Sequence, residues 1–308
     1  MGRRIRWTLA GTGLAVAALT AGLLVAVDGH RVTPVAETGT ADPPQDTAIS
    51  PTPVTSTSEV PYPDLSSVAA DLADAVTAAS PGTSVGFVLY DRESGKELAS
   101  LDADRPLYTA SVVKLLIAID EVHDDATGTW ALPDADAVED LTDMLAGSND
   151  AIASAFWERN GGTTIVTRTA ALIGLTHTTA PSDPTQWGMA KTSASDVLAT
   201  YEFLEDVVPD EVASPLLTAL GNARDPADDG WDQYFGIPDG LPGRSWQIKQ
   251  GWMILRNALV LNTTGVVGGR YVVALLTQQP LISSAKGRAA VTAGIKMLAP
   301  LLTQLDAT

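Results

Sequence analysis

The chain has 308 residues and a formal net charge of −18 at pH 7, with 37 acidic residues against 19 basic ones. Its length suffices for one large domain or two modest ones. The acidic balance argues against nucleic acid as a partner, because binding to a polyanion needs a basic surface. Cysteine is absent from the 308 residues, which excludes disulfides, thiol nucleophiles, cysteine–zinc sites and cysteine-linked lipids.

The first 27 residues predict a membrane anchor or a signal segment. Arg3, Arg4 and Arg6 precede an uncharged run over residues 7–27. A helix of about 20 apolar residues spans the core of a bilayer, and the arginines favour the cytoplasmic side. We therefore expect a single-pass anchor, with membrane contact through residues 7–27 and all later residues outside the cytoplasm. A cleaved signal peptide, giving a secreted protein, is the alternative, but no clean A-x-A cleavage site follows the run.

Residues 28–62 predict a tether. They are rich in Pro, Thr, Ser, Ala and Val and lack a periodic pattern of bulky apolar residues, so they bury too little surface to fold. The prolines favour an extended, disordered spacer. The folded domain is expected to cover residues 63–308.

The spacing of apolar and turn-forming residues in residues 63–308 predicts a series of helices and strands. The elements in chain order are a helix at 65–79, strands at 84–90 and 96–101, helices at 111–122, 137–145, 150–159, 164–173 and 193–204, strands at 246–249, 257–262 and 271–277 separated by breaks at Gly251 and 265–269, and a helix at 284–305. This order predicts an α+β fold, in which an antiparallel five-stranded sheet draws strands from both ends of the domain. Residues 63–111 and 245–308 would form the α/β part, and residues 112–244 a mostly helical inserted part.

Two S-x-x-K motifs place a lysine one helical turn after a serine. On a helix these side chains share a face, and a lysine shielded from water can lose its proton and act as a base for the hydroxyl. Ser111-Val-Val-Lys114 opens an apolar helix, whose N-terminus favours an oxyanion. Ser283-Ser-Ala-Lys286 leads into the last helix, where serine is a common cap. The first motif is therefore predicted to be catalytic and the second structural.

Two later motifs complete a family resemblance. Gly147-Ser148-Asn149-Asp150 opens a predicted helix, and Lys249-Gln250-Gly251 follows a predicted strand. In this order the sequence resembles class A β-lactamases and the wider family of penicillin-recognising serine hydrolases, in which S-x-x-K, S-D-N and K-T-G motifs meet in one cleft. The resemblance covers most of residues 63–308 and implies a β-lactamase-like fold. It implies that Ser111 is the nucleophile, Lys114 its base and Ser148 a proton relay.

The resemblance also implies a substrate-binding set, with departures from the family pattern. The set consists of Asp150, Lys249, Gln250, Gly251 and Trp252, and the backbone N–H groups of Ser111 and Trp252 would form an oxyanion hole. Asp150 replaces an asparagine, and a carboxylate donates no hydrogen bond unless it is protonated. Gln250 replaces a hydroxyl residue that helps to bind the substrate carboxylate.

A third departure concerns deacylation. Class A β-lactamases carry an E-x-x-L-N motif whose glutamate activates the deacylating water, but the corresponding residues 178–188 contain no glutamate. Asp183 is the one carboxylate in this segment, and it precedes a proline, which also suits a turn. Slow or absent deacylation is therefore expected. Trp187, Trp231, Tyr234 and Trp252 are candidates either for lining the cleft or for packing.

These observations predict an extracytoplasmic serine hydrolase that acts without a cofactor. Its substrate would be an amide, either a β-lactam or a peptide derived from peptidoglycan. No pair of histidines has the spacing of metal ligands, and the acidic loop 225–232 lacks the ligand pattern of a calcium loop, so no metal is expected. The alternative is a catalytically inactive binding or scaffolding domain of the same fold at the cell wall.

Overall fold

An antiparallel sheet lies at the centre of the computed structural model, which describes residues 64–307. The predicted anchor over residues 7–27 and the tether over residues 28–62 lie outside the described residues. Within residues 64–307, no helix combines the length and the apolar character that crossing a bilayer requires. The start of the domain at residue 63 and its division at residues 112 and 245 stay predictions.

The strands fall into one large sheet and two short ribbons. In chain order they are β1 (Ser84–Asp91), β2 (Lys96–Leu101), β3 (Leu107–Tyr108), β4 (His123–Asp124), β5 (Thr129–Trp130), β6 (Lys191–Thr192), β7 (Trp246–Ile248), β8 (Gly251–Ile254), β9 (Ala258–Val267) and β10 (Tyr271–Pro280). The large sheet has the order β2-β1-β10-β9-β7, and β8 also pairs with β9. β3 pairs with β6, and β4 pairs with β5.

The helices lie before, between and after these strands. In chain order they are α1 (Val68–Ala79), α2 (Lys114–Val122), α3 (Ala135–Ala146), α4 (Asp150–Arg159), α5 (Thr163–Ile173), α6 (Ala194–Asp206), α7 (Asp210–Gly221), α8 (Ile237–Gly240), α9 (Ser284–Lys296) and α10 (Leu298–Leu305). Two 3-10 turns, Ala110–Val113 and Trp187–Met189, precede α2 and β6.

The central strand β10 joins the two ends of the domain. It pairs with β1 on one edge, where Ser84 lies opposite Gln278, and with β9 on the other. Because neighbouring side chains of a strand point to opposite faces of a sheet, Val272 and Ala274 pack towards α2–α7, whereas Val273 packs towards α1, α9 and α10. The predicted α+β architecture, with strands from both ends of the domain, is confirmed.

Two hydrophobic cores therefore hold the sheet, one on each face. The larger core contains side chains such as Ile117 of α2 and Leu216 of α7, and the smaller one contains Leu72 of α1 and Ile295 of α9. Each fully buried aliphatic side chain contributes about 1.5–3 kcal/mol relative to an exposed one. The segments that carry the candidate catalytic residues are anchored in both cores.

The structure differs from the sequence-based expectation at three element boundaries. The large sheet has six strands instead of five, because β8 forms at the predicted break at Gly251 and pairs with β9 along the same edge as β7. β9 continues through Gly265 to Val267 and turns only at Gly268 and Gly269, since β7 and β10 pair with it on both sides. The predicted helix 284–305 is divided into α9 and α10 at Met297.

Candidate active site

Ser111 lies in the 3-10 turn Ala110–Val113, just ahead of α2, instead of in the helix itself. The residue before Ser111 has a φ of +45°, a conformation that L-residues seldom adopt. Asn262 of β9 fixes the approach to this turn, because its amide donates to the carbonyl oxygens of Tyr108 and Thr109 at 2.9 and 3.0 Å. The sheet thus sets the position of the candidate nucleophile.

Lys114 occupies the first turn of α2 and is fully buried. Its Nζ lies 3.0 Å from Ser111 Oγ, 2.6 Å from Ser148 O, 3.2 Å from Ser148 Oγ and 2.5 Å from Asp150 Oδ1. An ammonium has three hydrogens for these four oxygens. A neutral amine would instead accept the proton of the Ser111 hydroxyl through its lone pair, which is the geometry of a general base.

Burial and a carboxylate act on Lys114 in opposite directions. Loss of water lowers the pKa of Lys114 below its ordinary value, and the nearby carboxylate of Asp150 opposes that decrease. The net direction favours a lysine that gives up its proton more readily than a solvated one. The side chain of Asp150 is 62% exposed, so water screens its influence.

Ser148 bridges the two lysines of the site. It lies between α3 and α4 with a φ of +55°, and its Oγ is 3.2 Å from Lys114 Nζ and 2.9 Å from Lys249 Nζ. The next residue, Asn149, caps α4 by accepting a hydrogen bond from the amide of Ile152 at 3.0 Å. The cap fixes the backbone that presents the hydroxyl to both amines.

Lys249 follows β7 and is almost completely buried. Its backbone N–H donates to Tyr201 OH at 3.1 Å, and its Nζ donates to Gln250 O at 3.2 Å. Burial lowers the pKa of Lys249 well below its ordinary value, and the positive charge of Lys114 adds to the decrease. The structure therefore brings Ser111, Lys114, Ser148 and Lys249 into one hydrogen-bonded chain.

Gly251 and Trp252 begin β8 beside the serine. A Cβ on Gly251 would lie 2.7 Å from the carbonyl oxygen of Thr109, so only glycine permits this close approach of two backbones. The Trp252 indole donates to Asp229 Oδ2 at 2.9 Å and stacks on Trp231, with centroids 5.8 Å apart. These contacts hold the indole at the wall of the cleft.

Gln250 is placed differently from its neighbours. Its side chain is fully buried, and its amide donates to Gln233 O at 3.1 Å and to Phe235 O at 2.6 Å. These partners belong to the loop before α8. The amide of Gln250 therefore binds this loop to the segment between β7 and β8, whereas the Nζ of Lys249 is bound to Ser148 Oγ.

A cleft of about 250 Å³ opens beside Ser111. The residues that line it include Ser111, Asp150, Thr185, Trp187, Trp252 and Met253. Trp187 forms part of the cleft wall, and its ring centroid lies 4.9 Å from Lys114 Nζ. Sequence reasoning had named Trp187 only as a candidate for cleft lining or packing, and it had missed Thr185 and Met253.

Asp183 belongs to a turn beside the cleft. Its carboxylate accepts hydrogen bonds from the amide and the hydroxyl of Thr185 at 2.9 and 2.7 Å. These bonds, led by the one from the Thr185 backbone, lower the pKa of Asp183. The carboxylate is thus a turn-forming group of the kind that aspartate before proline favours.

Comparison with known proteins adds a family and a fold. No protein-family profile matches the chain. Over 229 residues, 72% of its length, the chain is 34% identical to proteins of Mycobacterium tuberculosis and Mycobacterium bovis described as "Putative lipoprotein LppW", and the match covers 72% of each of them.

Solved structures share the arrangement of the sheet and helices. A class A β-lactamase from Bacteroides cellulosilyticus superposes with a TM-score of 0.63 and 12% identity, over 78% of this chain and 99% of that one. A variant of PBP-A, solved as an acyl-enzyme complex with penicillin G, superposes with a TM-score of 0.62 and 16% identity, over 79% and 99%. At this identity the likeness establishes a fold, and the predicted β-lactamase-like fold is confirmed. The chain belongs to the family of the mycobacterial LppW proteins and has the fold of class A β-lactamases.

Proposed function

We propose that the protein is an extracytoplasmic serine hydrolase that forms an acyl-enzyme at Ser111. Its substrate would be an amide, either a β-lactam or a peptide derived from peptidoglycan. One observation carries the proposal, namely the hydrogen-bonded chain from Ser111 Oγ through Lys114 Nζ and Ser148 Oγ to Lys249 Nζ. A serine, a buried amine beside it and a relaying hydroxyl are the groups that acyl transfer needs.

The reaction follows from the positions of these groups. Neutral Lys114 takes the proton of the Ser111 hydroxyl as Oγ bonds to the carbonyl carbon of the substrate. The backbone N–H groups of Ser111 and Trp252 are the proposed donors to the oxyanion. When the C–N bond breaks, the leaving nitrogen takes a proton from the hydroxyl of Ser148, and Ser148 recovers a proton from Lys114. Lys114 is then neutral again, and the acyl group is an ester of Ser111.

The proposed substrate-binding roles belong to Lys249, Asp150, Gly251 and Trp252. Lys249 would bind an anionic group of the substrate by donating hydrogen bonds from its Nζ, and Asp150 would contact the substrate from the lining of the cleft. Gly251 and Trp252 would align the substrate with the edge of β8. Gln250 would act only indirectly, because its amide is bound to the loop before α8.

Slow deacylation is part of the proposal. The loop at residues 178–188 contains no glutamate, and the carboxylate of Asp183 is already bound to Thr185. An ester without a placed general base for water hydrolyses slowly. The protein would therefore hold its acyl group much longer than an efficient β-lactamase does.

The location of the domain is also a proposal. The LppW relatives are described as lipoproteins, which supports a membrane-attached protein outside the cytoplasm. The 308 residues of this chain contain no cysteine, so they offer no cysteine for a lipid. Residues 7–27 are the proposed attachment, either as an anchor or as a signal segment.

The test is the intact mass of the purified full chain after incubation with benzylpenicillin, beside a Ser111→Ala variant. A persistent penicilloyl adduct in the wild type and none in the variant supports the proposal. Consumption of the drug without an adduct, again only in the wild type, supports acylation at Ser111 and refutes slow deacylation.

A catalytically inactive binding domain is the second candidate. The 2.5 Å contact between Lys114 Nζ and Asp150 Oδ1 favours it, because a carboxylate at this distance favours the protonated lysine, which is no base. The same mass measurement separates the two candidates. Neither an adduct nor consumption of the drug would favour the binding domain, and peptidoglycan peptides would be the next ligands to test.

A further inference from the structure

The loop before β6 places an indole over the catalytic lysine. Trp187 begins the 3-10 turn Trp187–Met189, and its ring centroid is 4.9 Å from Lys114 Nζ. Its indole N–H donates to Ser154 Oγ of α4 at 3.2 Å. The ring is half-buried and forms part of the wall of the cleft that contains Ser111. Trp187 thus lies between the lysine and the open part of the cleft.

The backbone on both sides of Trp187 is held in place. A Cβ on Gly188 would lie 3.6 Å from the Cα of Ala110, so the loop lies against the turn that carries Ser111. The amide of Thr109 donates to Ala190 O at 2.9 Å, and the indole of Trp157 donates to Pro184 O at 2.8 Å. With its ends and its indole N–H all bonded, the ring has little freedom to move away.

Hydrolysis of an acyl-serine needs space for water at this place. A water oxygen must bond to the ester carbon while a base takes one of its protons, and Ser111 Oγ must leave with a proton as its bond to carbon breaks. Lys114 is the amine beside Ser111 Oγ, so a water that used it as base would have to approach within hydrogen-bond distance of its Nζ. The Trp187 ring covers the side of Nζ that faces the loop. The indole has no oxygen that could accept a hydrogen bond from a water molecule there, as a carboxylate or an amide would.

We propose that Trp187 is a water-excluding residue that prolongs the life of the acyl-enzyme. The inference rests on the proposed function, since it concerns the ester formed at Ser111. It adds a cause to slow deacylation, because the lack of a glutamate removes a base, whereas the indole removes the space for water. Opening that space should accelerate hydrolysis even without a new base, with Lys114 taking the proton of the water.

The test compares acyl-enzyme lifetimes in the full chain. Wild type, Trp187→Ala and Trp187→Phe are acylated with benzylpenicillin, freed of excess drug, and followed by intact mass as the adduct disappears and penicilloate appears. Trp130→Ala is the matched control, because its half-buried ring packs on His123 and Phe203, away from the cleft. Circular dichroism confirms that each variant is folded. The lifetime is measured after the drug is removed, so changes in the acylation rate do not enter.

We expect Trp187→Ala to shorten the lifetime of the adduct by about tenfold or more, and Trp187→Phe to have a smaller effect, because a phenyl ring still covers the amine. Trp130→Ala should leave the lifetime unchanged. Equal lifetimes in wild type and Trp187→Ala would overturn the inference while leaving the proposed function in place. An equal shortening in Trp130→Ala would also overturn it, since loosening of the fold would then be the cause. No adduct on any of the proteins, and no consumption of the drug, would overturn this inference for β-lactams and favour the binding domain over the proposed function.

Discussion

In the proposed mechanism, the ion pair between Lys114 and Asp150 should make acylation depend on pH in a way that one substitution changes. If Lys114 is the base, the acylation rate follows the neutral fraction of Lys114, so it should rise with pH and level off above the pKa of Lys114. Burial lowers that pKa, and Asp150 opposes the decrease. Asp150→Asn keeps the shape of the side chain and removes its charge, so the pKa of Lys114 should fall further.

The size of the effect follows from the geometry. The two charged groups touch, with 2.5 Å between Nζ and Oδ1, and unit charges about 4 Å apart at an effective dielectric of 20 interact by about 4 kcal/mol. Because the Asp150 side chain is 62% exposed, water screens the pair, and a hydrogen bond to a charged group at about 1.5–3 kcal/mol is the better guide. At about 1.4 kcal/mol for each factor of ten, removing this interaction should change the ratio of neutral to charged Lys114 by about ten- to hundredfold.

The assay is the second-order rate of acylation by a fluorescent penicillin between pH 5 and 10 for wild type and Asp150→Asn. We expect the inflection to move to lower pH, so that below both inflections the variant acylates roughly ten- to hundredfold faster. Asp232→Asn is the control, because Asp232 is an exposed carboxylate paired with Arg288. An inflection that stays in place or moves to higher pH would refute the reasoning. A rate that falls equally at every pH would instead assign Asp150 a role in binding the substrate.

Four further substitutions, at three positions, test the framework around Ser111. Ser148→Ala and Ser148→Gly should both abolish acylation. The free energy of unfolding of the glycine variant should exceed that of the alanine variant by about 1 kcal/mol, because glycine adopts the φ of +55° without strain. Chemical denaturation measures the difference, and equal stabilities would contradict backbone strain at this position. Gly251→Ala should lower the free energy of unfolding by about 1–3 kcal/mol and slow acylation, since the alanine Cβ would lie 2.7 Å from Thr109 O. An unchanged melting temperature would show that the two backbone segments can separate without loss of stability. Asn262→Ala should lower the free energy of unfolding by about 3 kcal/mol in chemical denaturation, because two carbonyl oxygens before Ser111 and the amide of Thr277 lose their partner. A loss below about 1 kcal/mol would count against a role for Asn262 in positioning Ser111.

Local spacing made part of the site predictable from the sequence. Ser111 and Lys114 are three residues apart, so any helical path brings them together, and the apolar run around Lys114 indicated its burial. Ser148 and Lys249 are distant along the chain, and only the family resemblance placed them near Ser111. Their hydrogen bonds in the structure support that placement.

Two features of the site were not foreseen for physical reasons. Gln250 was expected beside the substrate, but its amide is bound to Gln233 O and Phe235 O, whereas the Nζ of Lys249 is bound to Ser148 Oγ. Both residues lie between β7 and β8, where no strand periodicity fixes the direction of a side chain. The position of Trp187 was not foreseen either, because it depends on how the loop before β6 packs against Ala110 and α4, and no local pattern encodes such a packing.

The fold shows the same division between local and distant information. The hairpin of β1 and β2 and most helices follow from periodicity, since each is stabilised by its own apolar face. Gly265 suggested a break in β9, but pairing on both edges of that strand overrides the preference of a single glycine. The division of the last helix at Met297 has a local signal in Pro300, which has no backbone N–H to donate to the carbonyl of residue 296 and so disfavours one continuous helix.

The position of β10 between β1 and β9 makes assembly of the site depend on pairing between distant parts of the chain. The N-terminal hairpin of β1 and β2 reaches the strand that carries Asn262 only through β10, which ends at Pro280 and follows the other described strands along the chain. Pairing between segments so far apart in sequence slows folding. A nascent chain that does not yet extend to residue 280 therefore contains Ser111 and Lys114 but lacks the sheet that aligns them.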